Sequence, residues 1–195
     1  MKSSYLRAGA ALACAVALSA CGGSDGQLLL GGTISGITKT GLVLTNNGGS
    51  DYAVPVPANP GAVSEFYFPE LISTDDRYSV AVKTLPSNVK DCKIENASGR
   101  AAYHVYTVYI TCELKTHALG GNVGNLKGEL VLVNGADRVT LQAGATSFNF
   151  KEIAEDAAYT VAVLTQPAGQ TCTVGNGSGT MGTADINNVA VTCTP

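Results

Sequence analysis

Two stretches of this 195-residue chain repeat each other. Leu30-Gly31-Gly32-Thr33-Ile34 is matched by Leu119-Gly120-Gly121-Asn122-Val123, and Phe66-Tyr67-Phe68 by Phe148-Asn149-Phe150. Tyr78-Ser79-Val80-Ala81-Val82 is matched by Tyr159-Thr160-Val161-Ala162-Val163, Cys92 by Cys172, and Cys112 by Cys193. The offset shrinks from 89 residues at Gly31/Gly120 to 81 at Cys112/Cys193, so the first copy carries about eight extra residues, mostly within 51–64. A duplicated chain builds two small cores, not one large one.

Each copy is patterned with period two. Tyr78, Val80 and Val82 share one face of a strand, while Phe148 and Phe150 flank an outward Asn149. Asn46-Asn47-Gly48-Gly49 and Asn134-Gly135 supply the positive φ of hairpin turns, and Pro86 and Pro167 close the strands before them. The 23 glycines and a charged fraction of only 14% suit short strands and tight turns, not long solvated helices. Residues 152–158 could make one helical turn. About seven strands in each copy predict an all-β chain of two tandem immunoglobulin-like sandwiches, over residues 30–113 and 119–195, joined by a linker at 114–118.

Such small domains bury little apolar surface and often depend on disulfides. Cys92, Cys112, Cys172 and Cys193 allow three pairings. The repeat selects Cys92–Cys112 and Cys172–Cys193, which close equivalent loops of about 20 residues, each worth roughly 3 kcal/mol in the chain-entropy model.

Residues 1–20 read as a secretory leader, with Lys2 and Arg7 at its start, an apolar core over 8–18, and Cys14 within that core. The apolar run is shorter than the roughly 20 residues a membrane span requires. Leu18-Ser19-Ala20-Cys21 resembles the bacterial lipobox at all four positions. That resemblance implies cleavage before Cys21, lipid on its sulfur and a palmitate-type acyl group on the new amino terminus. The chain would then be held to the membrane of the cell envelope, with residues 21–29 as a flexible tether. Gly22, in place of Asp, points to the outer membrane if the sorting rule of Gram-negative lipoproteins applies.

The run Tyr159 to Pro167, then Gly169-Gln170-Thr171-Cys172 and Asn176-Gly177-Ser178-Gly179, is similar to a repeat unit of proteobacterial surface lipoproteins and secreted proteins. The first copy keeps the opening half, Gly31 to Gly48, and departs at Leu85 to Asp91. The resemblance implies an extracytoplasmic sandwich and no particular reaction.

Little in the sequence points to catalysis. There is no Gly-x-Ser-x-Gly elbow, no calcium loop, and no Cys-x-x-Cys or His spacing for zinc, so neither cofactor nor metal is expected. Alternation from Cys112 puts His104 and Tyr106 on the inner face of the last strand of the first copy, as structural residues. His117 falls in the linker, in water. Asp75-Asp76 and Glu155-Asp156 read as polar turns. Removing Lys2 and Arg7 from the 12 basic residues leaves 10 against 15 acidic ones, a net of −5, which disfavours nucleic acid. No small-molecule substrate is indicated.

One asymmetry between the copies points to function. Tyr67 stands where the second copy has Asn149, and Tyr109 where it has Ala190; Tyr103 and Val105 extend the same outward face. Outward tyrosines favour contact with a partner, because they offer area at low entropic cost. The competing reading packs these rings against the second copy or the 51–64 insertion. The expected role is a non-catalytic structural, adhesive or protein-binding module that meets an envelope or surface protein. The alternative is an accessory subunit that binds by strand addition at a sheet edge.

Overall fold

The computed structural model describes residues 26–195. The leader, Cys14, Cys21 and Gly22 lie outside the described residues. No helix forms among the described residues. The first copy contributes β1 (Leu30–Ser35), β2 (Val43–Asn46), β3 (Gly49–Ala53), β4 (Ser64–Tyr67), β5 (Arg77–Thr84), β6 (Val89–Glu95), β7 (Ser98–Arg100) and β8 (Val105–Leu114). After β9 (Thr116–His117), the second contributes β10 (Leu119–Gly124), β11 (Leu130–Asn134), β12 (Asp137–Leu141), β13 (Ser147–Asn149), β14 (Ile153–Ala154), β15 (Ala158–Thr165), β16 (Thr171–Gly175), β17 (Ser178–Thr180) and β18 (Ile186–Thr194).

Each copy is a sandwich of two four-stranded sheets. The first has orders β4-β1-β8-β6 and β3-β2-β5-β7, and the second repeats them as β13-β10-β18-β16 and β12-β11-β15-β17. Each therefore has eight strands where about seven are expected. The extra strands, β7 and β17, are three-residue exposed pieces, Ser-Gly-Arg and Ser-Gly-Thr, whose composition reads as turn. Residues 152–158 do not make a helical turn. Ile153 and Ala154 pair instead with His117 and Thr116, which ties the linker to the second sandwich.

The inner faces carry the period-two residues. Leu30, Leu44 and Val108 are fully buried, as are their counterparts Leu119, Leu132 and Val189. Phe66 and Phe68 meet edge-on at 6.2 Å in one core, and Phe148 and Phe150 at 5.7 Å in the other. Each such buried ring contributes about 1.5–3 kcal/mol of transfer free energy. The β2–β3 turn has Asn47 and Gly48 at φ 52° and 76°, the two positive angles a type I′ turn requires.

Cys92 is bonded to Cys112, and Cys172 to Cys193. Each pair sits directly opposed on neighbouring strands of one sheet, β6 with β8 and β16 with β18. This differs from the inter-sheet disulfide of antibody domains. The bridges still couple both sheets, because the chain between the two cysteines passes through β7 or β17, which pair with β5 or β15 of the opposite sheet.

β1 lies between β4 and β8, antiparallel to the first and parallel to the second. The pairing of β1 with β8 slips between Leu30–Val105 and Gly32–Val108, so β8 holds one residue more than β1 over that step. The same slip separates Leu119–Ile186 from Gly121–Val189 in the second copy. This β-bulge reverses the facing of side chains on its two sides.

The sandwiches meet pole to pole. Lys115 N–H donates to the Asn88 carbonyl at 2.9 Å, and Glu155 N–H to the Lys115 carbonyl at 2.9 Å. Asn88, fully buried, donates from Nδ2 to Thr38 Oγ1 at 2.6 Å and to Asp156 Oδ2 at 2.8 Å. Lys39 Nζ approaches Asp156 Oδ1 at 2.8 Å.

Candidate contact face

The bulge decides which residues of β8 reach solvent. Continuous alternation would send Val105 outward and Tyr106 inward; the structure does the reverse. Val105 is buried in the core and Tyr106 is exposed, so Val105 does not share the outward face expected of it and Tyr106 stands there instead. His104 is also exposed, against the expected inward placement. The other three expected residues do lie outside: Tyr103 is 83% exposed, Tyr109 43% and Tyr67 37%. With that much surface open, neither the second sandwich nor the 51–64 insertion covers them.

The rings form a connected row. Tyr67 meets Tyr106 edge-on at 5.8 Å between centroids, and His104 stacks on Tyr106 at 5.7 Å with 29° between planes. Tyr67 pairs with Gly31 of the intervening strand, and a Cβ there would stand 2.5 Å from the Tyr67 ring. The missing side chain is thus what lets rings from β4 and β8 meet across β1. In the second copy the corresponding space holds the Asn149 amide, 2.2 Å from the same hypothetical Cβ on Gly120. The positions of Tyr103, His104, Tyr106 and Tyr109 are held there by Ala184, Asp185, Asn187 and Ala190.

His104 has a structural task as well. Its Nδ1 accepts the Leu29 N–H at 2.9 Å, as Asp185 Oδ1 accepts the Ala118 N–H at 2.9 Å in the second copy. An accepting Nδ1 places the proton of the neutral ring on Nε2. His117, expected in water, is instead only about one-fifth exposed. Its Nε2 lies 2.9 Å from Glu155, which is buried, and its Nδ1 lies 3.8 Å from Asp185. Both ring nitrogens thus face carboxylates, and the imidazole braces the linker against the second sandwich. Asp75 and Asp156 sit in equivalent turns at φ 69° and 67°, hydrogen-bonded through their backbone N–H to Ala101 and Met181. Among the described residues no group of three His, Cys, Asp or Glu could hold a metal ion.

Tyr67 O–H donates to Glu65 Oε2 at 3.0 Å. That bond raises the phenol's pKa above its ordinary value, because ionisation would break it and set two negative charges side by side; partial desolvation and the Glu65 charge act in the same direction. In an alkaline spectrophotometric titration Tyr67 should therefore ionise later than a free tyrosine. Glu65→Gln should move that step back toward the ordinary value, whereas an unchanged profile would show that the bond does not persist in solution.

No protein-family model and no curated protein matches the sequence. Among solved structures the chain is similar to the major pilin protein T3.2 of Streptococcus pyogenes, at 11% identity and a TM-score of 0.30, over 87% of this chain and 98% of that one. It is similar also to the T-13 major pilin of the same species, at 12% identity and a TM-score of 0.28, over 87% and 96%. Overlap that loose leaves the two-sandwich architecture resting on the strand pairing described above.

Proposed function

We propose that the protein is a non-catalytic, lipid-anchored component of the cell envelope that acts as a structural, adhesive or protein-binding module, with its contact surface on the first sandwich. The observation that carries this reading is the exposed row of Tyr67, Tyr106 and His104, with Tyr103 and Tyr109 beside it, on one copy of a duplicated scaffold whose other copy has Asn and Ala instead. A stability role alone would not require rings in solvent, since surface substitutions away from special features change stability by only about 0.5 kcal/mol. Both histidines brace the scaffold: His104 accepts a backbone N–H, and His117 is held between two carboxylates.

Strand addition is less well supported at β6 and β16, the edges that carry the disulfides, because both are blunted. β6 carries Lys90, Asp91, Lys93 and Glu95, charges of the kind that discourage edge pairing. On β16, the Gln166 side chain occupies both backbone groups of Cys172, accepting its N–H at 2.7 Å and donating to its carbonyl at 3.0 Å.

The anchor is tested by growing cells with labelled palmitate. The full-length chain should take up label and fractionate with membranes. Cys21→Ser should lose the label and appear in the soluble extracytoplasmic fraction. Unlabelled wild-type protein in the soluble fraction would contradict the reading.

A further inference from the structure

The aromatic row lies at the pole of the first sandwich where the chain enters. Thr74 N–H donates to the Gly26 carbonyl at 3.2 Å, Leu28 bridges to Ile72, and Leu29 is held by His104. The 26–29 part of the expected tether is therefore bound to the sandwich. Only five residue steps separate Gly26 from Cys21, a span of at most about 18 Å when fully extended. We propose that this pole lies against the bilayer surface, with the lipid interface as the occupant of the aromatic face. The proposal rests on the reading of Cys21 as the lipidated residue, and among the roles proposed above it takes the structural one, naming the bilayer in place of a protein as what the aromatic face contacts.

Three observations favour lipid over other occupants. The first is chemical. Tyr103, Tyr106 and Tyr67 combine an apolar body with a polar tip, and Leu71, 44% exposed, stands at the same pole beside Ile72. Amphipathic rings of this kind collect at membrane–water boundaries. The second is positional. The corresponding pole of the second sandwich, with Asp185 and Asn187, faces the first sandwich and has no such rings. Among the described residues the aromatic version occurs at the pole where the chain enters the first sandwich.

The third observation disfavours a second copy docking head to tail. The joint within the chain depends on Asn88, and at the far pole of the second sandwich that position is Gly169, which has no side chain to offer. Charge also limits which lipids fit. Asp75 is paired with Arg100 at 3.2 Å, and Glu65 is engaged by Tyr67, so the face presents no excess of cations to anionic headgroups. Association by the tyrosines can be weak, since a short tether sets an effective concentration in the millimolar range.

The mature chain from Cys21 has one cysteine outside the two disulfides, so Cys21 can be coupled to maleimide-bearing lipid in phosphatidylcholine vesicles. The control is the same protein capped with a water-soluble maleimide. Hydroxyl-radical footprinting read by mass spectrometry should show Tyr103 and Tyr106 oxidised about fivefold more slowly on vesicles, the factor for a face covered about four-fifths of the time at a roughly millimolar effective concentration. Leu164, 50% exposed on the second sandwich, should be unchanged. Vesicles rich in phosphatidylglycerol should protect no better than phosphatidylcholine. Equal rates for Tyr103 in the tethered and capped forms would overturn the proposal. So would protection seen only on native envelope fragments, since that would assign the face to a protein. Because the tether is supplied chemically, this result stands apart from the palmitate experiment, which alone decides whether cells lipidate Cys21.

Discussion

Gly121→Ala is expected to unfold the second sandwich well below the melting temperature of the parent protein. A Cβ on Gly121 would stand 1.8 Å from the Val189 carbonyl oxygen, at the point where β10 runs beside the bulge of β18. The obstacle is backbone, not the end of a flexible side chain, so the strands must separate and their ladder bonds must lengthen. A cost of about 3 kcal/mol or more follows, at the upper end for overpacking, which lowers the Tm of a domain this size by more than about 12 °C. Gly32→Ala should do the same to the first sandwich, where the Val108 carbonyl oxygen would be 1.8 Å away. Gly182→Ala is the control: nothing lies within 4 Å of its added Cβ, and its Tm should match the parent's. Scanning calorimetry reads all three variants, and a Gly121→Ala transition within about 2 °C of the parent would show that β10 and β18 do not approach as described.

The second large effect concerns the disulfides. Cys172→Ser combined with Cys193→Ser opens a loop that passes from one sheet to the other and back. The chain-entropy model assigns a closure of this length about 3 kcal/mol, and small secreted domains commonly lose 2–5 kcal/mol when their bridge is removed. The loss should be confined to the second sandwich, because each bridge lies within one copy. Near-ultraviolet circular dichroism should then show an early transition for the altered half, while the rings of the first sandwich melt as in the parent. A single transition shifted as a whole would mean that the joint at Asn88 and Asp156 couples the two sandwiches into one folding unit.

The sandwich architecture was legible because it is written in local chemistry. Tyr78, Val80 and Val82 alternate, Asn47-Gly48 supplies the positive φ of a tight turn, and of the three pairings of four cysteines one keeps each bridge within its own copy. The candidate contact face is harder to read. Its rings were identifiable by comparing copies, but the facing of Val105, Tyr106 and His104 depends on a bulge, and a bulge is a property of two paired strands. One clue was present in the second copy. Asn187 and Asn188 are consecutive polar residues between Ile186 and the buried Val189, a spacing that uninterrupted alternation cannot produce. The placement of His117 was not readable from its neighbours in sequence, because Glu155, 38 residues away, is what takes it out of water.

The account depends on each copy closing on itself. Proteolysis of the unreduced protein, followed by mass spectrometry of the linked peptides, measures this directly. Peptides joining Cys92 to Cys112 and Cys172 to Cys193 are expected, in full yield and with no cross-linked species. A peptide joining Cys92 to Cys172, or Cys112 to Cys193, would place strands of different sandwiches side by side and would contradict the duplicated fold and the proposed contact face built on it.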